Sequence, residues 1–369
     1  MNKCRTVSNC ENRNKRLNNK RLKALNASIM KNISFENLLH VDGHPFFINP
    51  ETLQWKGKNL SRPECVLTTS TGDLFASDSR GGVAHIRADG SQALYLGSRP
   101  DGSALKPNGI ALRRSSTFLV AHLGNSKGGV YELYRNGSVR PFLEEVDGVE
   151  LPPTNFVAED HFGRIWISVS TRLRPRTRAF RADIADGFIV LKDERGARIV
   201  ADNLGFTNEV VLSRDGTHLY VNETFSRRLS RFRIYKNGAL GNREIVTTFG
   251  EGTFPDGLAL DCMGYVWITS IVSNRVIRVA PDGKQQIILE DADYSHIELC
   301  EKAFSNCTLE RAHIDACEGS LLKNISSIAF GGEDLRTVYL GSLKGESIAS
   351  FRSPIAGYPL AHWHYNASD

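Results

Sequence analysis

The sequence predicts an all-β fold, a six-bladed β-propeller of four-stranded antiparallel blades around a central channel. Three observations predict it. First, a short polar-led segment recurs six times: Glu64-Cys-Val-Leu, Asn108-Gly-Ile-Ala-Leu, Asn155-Phe-Val-Ala, Asn208-Glu-Val-Val-Leu, Asp256-Gly-Leu-Ala-Leu and Ser326-Ser-Ile-Ala-Phe. Second, the leads lie 44, 47, 53, 48 and 70 residues apart, a spacing that suits propeller blades. Third, the lead residue is polar all six times. A β-sandwich built from the same hairpins does not require that, whereas the start of an innermost strand faces the channel.

The apolar run after each lead residue is the innermost strand of a blade. The second strand follows a glycine turn and carries a large side chain, as in Gly72-Asp-Leu-Phe75, Gly163-Arg-Ile-Trp166, Gly216-Thr-His-Leu-Tyr220 and Gly264-Tyr-Val-Trp267. Phe118 and Tyr339 fill the same slot less regularly. A glycine turn before a β-branched and aromatic run is a hairpin signal. The third strand alternates with period two and ends at a turn pair: Asp89-Gly90, Asn136-Gly137, Arg195-Gly196, Asn237-Gly238 or Asp282-Gly283. Such pairs supply positive φ. The fourth strand is expected to be short, as in Ala93-Leu-Tyr-Leu and Gln286-Ile-Ile-Leu.

Two blades carry insertions, near 171–186 and 291–323. The first holds Arg172, Arg174, Arg176, Arg178 and Arg181. The second contains a segment at 294–305 that predicts a helix with Ile297, Cys300 and Phe304 on one face. Long loops in a compact domain tend to be binding elements.

The expected organisation is a basic, Asn-rich tail over 1–32, disordered, and one propeller domain over 33–369. Residues 1–31 hold nine Lys/Arg and one acid, a net +8 that leaves −3 for the rest of a chain whose total is +5. That subtraction removes any nucleic-acid footprint. No run of ~20 apolar residues marks a membrane span, and the first residues lack the apolar core of a secretory signal. The seven cysteines show no paired framework, so a reducing, cytoplasmic setting is expected. Oligomeric state is not legible.

The six leads converge at the channel mouth. Glu64, Asn155, Asn208 and Asp256 offer two carboxylates and two amide oxygens, without His or thiolate. An all-oxygen set suits one divalent cation, Ca²⁺ first, with Mg²⁺, Mn²⁺ or Zn²⁺ also compatible. Such a cation polarises an ester, lactone or P=O group, and an adjacent carboxylate then acts as base or nucleophile. Asp256, flanked by Pro255 and Gly257, is the candidate for that role. Asn108, Asn155, Arg172 and Arg174 are the candidate substrate contacts.

Residues 60–345 resemble the gluconolactonase / senescence marker protein / luciferin-regenerating enzyme family of six-bladed propellers. The resemblance rests on Arg62-Pro-Glu-Cys, Thr207-Asn-Glu-Val, Asp215-Gly-Thr-His-Leu-Tyr, Phe254-Pro-Asp-Gly-Leu-Ala-Leu-Asp with Gly264-Tyr-Val-Trp, and Phe330-Gly-Gly-Glu-Asp-Leu. It implies that Glu64, Asn208 and Asp256 ligate the metal, that Asn155 lies between metal and substrate, and that Asp256 is also base or nucleophile. The implied activity is metal-dependent hydrolysis of sugar and other lactones, or of organophosphates at the same site. One departure stands out. Polyol-lactone members often carry Arg two residues before the blade-three Asn and an acid just after it, where this chain has Pro153 and Phe156. The arginine loop is then either a clamp for carboxylate or phosphate or an exposed basic loop.

The reading is a metal-dependent hydrolase opening a small, sugar-acid-like or anionic lactone or related ester. The alternative is a non-catalytic ligand-binding propeller with a structural cation. Three motifs are set aside. Gly124-Asn-Ser-Lys-Gly128 lacks the strand-turn-helix context of a nucleophile elbow. Cys300, Cys307, His313 and Cys317 lack zinc-finger spacing. His362-Trp-His364 reads as a surface tail.

Overall fold

The computed structural model describes residues 45–365; the basic tail, with Cys4 and Cys10, lies outside the described residues. Six four-stranded antiparallel sheets follow one another along the chain. Their inner strands are Val66–Thr68, Pro107–Leu112, Thr154–Glu159, Thr207–Leu212, Phe254–Leu260 and Ile325–Gly331. Each packs on the next, and that of blade six packs on that of blade one, so the ring closes.

Burial falls outward through each blade for a simple reason. An inner strand has neighbouring blades on both faces, so Pro107–Leu112 and Ile325–Gly331 are buried at every position. An outermost strand such as Gln92–Leu96 has solvent beside it and is half-exposed. This is why the inner strands read as unbroken apolar runs.

The large second-strand residues Phe75, Phe118, Trp166 and Trp267 are fully buried. Both tryptophans also satisfy their indole N–H. Trp166 Nε1 donates to Asp160 Oδ2 at 2.9 Å and Trp267 Nε1 to Asp261 Oδ2 at 3.0 Å. The other oxygen of each aspartate accepts two backbone N–H groups of the intervening turn. One acid thus ties a turn to the ring that fills the space between blades. Burying such a ring stabilises by roughly 3 kcal/mol.

The turn glycines have positive φ as expected, 86° at Gly90 and 94° at Gly196. Two expectations fail. The fourth strands of blades three and four are not short: Gly196–Leu204 and Leu240–Thr248 run nine residues each. Nor is His362-Trp-His364 a surface tail. The chain after blade six returns across the strand ends opposite the lead residues, bonding through Cys262 N to Ala356 O at 2.9 Å, Tyr358 N to Leu260 O at 2.7 Å and Ser70 N to Trp363 O at 2.8 Å. His362 and Trp363 are buried there, and Leu360 and His362 help to line a cavity of about 70 Å³ beneath the inner strands. A further element was not foreseen. Gln54–Lys56 pairs antiparallel with Ile348–Arg352 and supplies the outer strand of blade six.

Buried histidines make the fold acid-sensitive, His122 and His362 most strongly. Burial, with Arg99 and Lys106 nearby, pushes His122 down from 6.5 to about 4. Its Nδ1 accepts from Lys106 N at 2.9 Å. Burial next to His161 likewise takes His362 to about 4. Both are neutral in the fold and charge more readily when unfolded, so their stabilisation holds above pH ~6.5 and drains away toward pH ~4. Lowering pH from about 7 to about 5 should cost about 2 kcal/mol per histidine in the free energy from urea denaturation. His122→Asn should remove about 2 kcal/mol of that pH-dependent loss, and an unchanged slope would refute its share.

Candidate functional site

The site begins with a backbone irregularity. In blades two to six the register between the inner strand and its neighbour slips beside the lead residue, at Pro107/Ile110, Thr154/Phe156, Thr207/Val210, Pro255/Leu258 and Ile325/Ser327. A bulge re-aims a side chain and frees ladder N–H groups. The N–H two residues after three of the leads, two of them at these bulges, is taken by the residue that follows the preceding blade's lead. Val66 N donates to Ser327 Oγ (3.3 Å), Ile110 N to Cys65 Sγ (3.4 Å) and Leu258 N to Glu209 Oε2 (2.9 Å).

The bulge bearing Asp256 is held from every side. Thr224 Oγ1 donates to Pro255 O (2.8 Å), Asn222 Nδ2 to Asp256 O (3.0 Å), and Gly257 N to Thr269 Oγ1 (2.9 Å). Gly257 has no alternative, since a Cβ there would lie 2.5 Å from Ser326 O and 2.6 Å from Ser327 Cα. The Pro255-Asp256-Gly257 backbone is therefore fixed, and the Asp256 carboxylate accepts no hydrogen bond among the described residues.

Hydrogen bonds join the lead residues into a chain. Asn108 Nδ2 donates to Asn155 O (2.9 Å) and Asn155 Oδ1 (3.2 Å), and Asn155 Nδ2 donates to Asn208 Oδ1. Asn208 Nδ2 donates to Thr224 Oγ1 at 3.0 Å. Because the Thr224 hydroxyl spends its proton on Pro255 O, it can only accept from Asn208, which turns the Asn208 oxygen away from it. Arg62 pairs with Glu64 and donates to Asn108 Oδ1 at 3.2 Å. Glu64 Oε2 is buried, paired with Arg62 and otherwise without a hydrogen bond. Ser326 Oγ donates to Glu64 O at 3.0 Å.

The electrostatics are those of charges withdrawn from water. Burial first, and then the Glu64 carboxylate, raise the Asp256 carboxyl well above its usual range, with Arg176, Arg62 and Arg311 opposing. Burial likewise raises Glu209, to which Asp256 and Glu64 add. Two like charges and a dry site penalise ionisation. A hard cation among these oxygens relieves that penalty. Among the described residues no three His, Cys, Asp or Glu side chains come together as a metal cluster. A cation here must draw on amide as well as carboxylate oxygens, and the donor set of Glu64, Asn208 and Asp256 fits one.

Of the expected substrate contacts, Asn108 and Asn155 join the network, but Arg172 and Arg174 do not. Arg172 forms a two-pronged pair with Asp202 at 2.8 and 2.9 Å and lies 4.3 Å from the Phe188 ring centroid; Arg174 donates to Glu150 O at 3.3 Å. Arg172 is thus held by the outermost strand of blade three and Arg174 by the two-stranded sheet that precedes that blade. The loop's contact with the site is Arg176, whose Nη2 donates to Asn155 Oδ1 (3.0 Å) and Ser170 Oγ (3.1 Å). The second insertion forms the expected helix, Tyr294–Ser305, with Ile297, Cys300, Ala303 and Phe304 buried. Beyond it Arg311–Asp315 forms a short helix that brings Arg311 within the field of Asp256. The five described cysteines are free. Burial pushes Cys300 up to about 11 and Cys317 to about 12, so both are neutral thiols.

Residues 63–310 match the SMP-30/Gluconolactonase/LRE-like region. The chain belongs to this family. Over 256 residues it is 28% identical to a 6-deoxy-6-sulfogluconolactonase of Pseudomonas putida, covering 68% of this chain and 73% of that one. It is 24% identical over 235 residues to a pentonolactonase of Haloferax volcanii, covering 59% and 68%. Among solved structures, a gluconolactonase of Xanthomonas campestris superposes with a TM-score of 0.60 at 16% identity, covering 86% of this chain and 96% of that one. A calcium-binding regucalcin of Agrobacterium tumefaciens gives 0.60 at 16% identity, covering 84% and 95%. These two establish the shared fold.

Within this family fold, Glu209 is the residue that sequence reasoning passed over. It is an acid in an otherwise buried apolar strand, which is a warning sign, but only the cross-blade contact shows its use. Glu209→Ala strands the buried Leu258 N–H and should cost about 1–3 kcal/mol in chemical denaturation. Glu209→Gln, which keeps an acceptor oxygen, should recover most of that. Equal loss in both variants would contradict the clamp.

Proposed function

We propose that this protein is a divalent-cation-dependent lactonase that opens a small lactone, with Asp256 as the general base. The observation that carries the reading is the Asp256 carboxylate itself. It is buried, clamped at a bulge, without a hydrogen-bond donor among the described residues, and close enough to a second buried acid, Glu64, to be raised by its charge. A fold has no structural use for such a pair, and a buried acid raised well above its usual range marks a candidate acid–base site. The sugar-lactone activities named for its relatives agree with this.

Glu64, Asn208 and Asp256 would hold the cation, Ca²⁺ being the first choice for flexible all-oxygen donors; the regucalcin neighbour is described as calcium-binding. When bound, the cation supplies Lewis acidity at the lactone carbonyl and charge for the developing oxyanion. The remaining chemistry belongs to the chain. Asp256 takes a proton from the attacking water as the new C–O bond forms. The ring C–O bond then breaks, and the proton passes from Asp256 to the departing alkoxide. Asn155 orients the substrate, its own amide fixed by Asn108, Asn208 and Arg176. In the hydrogen-bonded arrangement its oxygen is already engaged by two donors, so orientation suits it better than ligation.

Asp256→Asn should lower kcat at least 10³-fold, a typical scale for loss of a catalytic base, with an unchanged circular-dichroism spectrum. Turnover within tenfold of wild type on a panel of aldono-, urono- and aliphatic lactones would remove the base. Glu64→Gln should weaken Ca²⁺ binding at least tenfold by calorimetry, since it deletes an anionic ligand; equal affinity would contradict the site.

A further inference from the structure

Arg176 differs from the other arginines near the channel mouth. Arg62 is paired with Glu64, and Arg311 with Asp315 at 2.8 Å. Arg176 has no carboxylate partner among the described residues. Its Nη2 donates only to neutral oxygens, on Asn155 and Ser170, and its Nε is buried with no partner at all. The guanidinium lies 5.0 Å from the Phe206 ring centroid, which holds its plane without neutralising it. Burial brings it down only to about 10, so it stays charged at neutral pH.

The charge balance makes this unusual. Glu64, Asp256 and the neighbouring Glu209 face Arg62 and Arg176, while Arg311 is matched by Asp315. A divalent cation then leaves the site with a net positive charge while withdrawn from water. A neutral lactone does nothing to offset it, while a substrate with its own negative charge does. Buried charges persist where a partner arrives to meet them. A guanidinium with free N–H groups is the natural receptor for a carboxylate or sulfonate.

We propose that the substrate of this site is a lactone bearing an oxyanion substituent, and that Arg176 is the specificity residue that receives that substituent beside Asn155. This rests on the lactonase reading above but is separately testable. Turnover would be compared for matched neutral and carboxylate-bearing aldonolactones, with a sulfonate-bearing counterpart to separate the two oxyanions. Binding of the corresponding non-hydrolysable lactams would be measured by calorimetry on the calcium-loaded full chain. Wild type should favour charged over neutral ligands at least tenfold in both kcat/KM and affinity. Arg176→Gln should reduce that ratio at least tenfold. Damage to the metal site or the fold lowers both ligands together and leaves the ratio alone. Equal binding of charged and neutral lactams by wild type, or a ratio unmoved in Arg176→Gln, would overturn the proposal whatever the turnover. Charge-selective lactam binding that needs Arg176, without hydrolysis of any lactone, would sustain the anion site and sink the lactonase reading instead.

Discussion

The bulge at the head of the inner strands is the constraint on which the rest of the site depends. A regular strand would point successive side chains to the flanking blades and leave none for the channel. Slipping the register by one residue lets Asn108, Asn155 and Asn208 join in one hydrogen-bonded chain and leaves the Asp256 carboxyl in the field of Glu64, but it also frees backbone N–H groups in a dry environment. The neighbouring blade repairs the loss through Cys65 and Glu209. Ring closure and site geometry are therefore one set of hydrogen bonds. This explains why a buried acid, Glu209, is tolerated one residue from Asn208.

Electrostatics pull the other way. Glu64, Asp256 and Glu209 share one small volume, and burial together with the neighbouring carboxylates raises Asp256 and Glu209. Three arginines counter this from three parts of the chain: Arg62 before blade one, Arg176 in the blade-three insertion and Arg311 in the short helix after blade five. Desolvating charges costs several kcal/mol per ion unless they are paired and hydrogen-bonded. The site is thus a mixture that is poorly balanced by protein groups alone. That imbalance is what the proposed cation and charged substrate would offset, and two of the three countering arginines come from insertions that do not belong to the repeat.

Much of this was legible in the residues. The six polar leads gave the blade count, the turn pairs gave the hairpins, and the Ile297, Cys300 and Phe304 stripe gave the inserted helix. Each is a local, periodic signal. Other features were hidden for the same reason in reverse. Gln54–Lys56 is too short to announce a strand, and only pairing with Ile348–Arg352 makes it one. His362 and Trp363 look like a tail because their burial comes from strands far away in sequence. Arg172, Arg174 and Arg176 are alike in the sequence, and only the positions of Asp202 and Asn155 separate them.

The sequence by itself thus determined the architecture and marked the lead residues from which the site is proposed, because both are written in a repeat whose register is set by local patterning. The tertiary structure alone decided which arginine enters the site, where Glu209 spends its carboxyl group and which way the Asn208 amide faces. Those outcomes depend on contacts between blades, where a difference of one residue along the chain becomes a different neighbour across it.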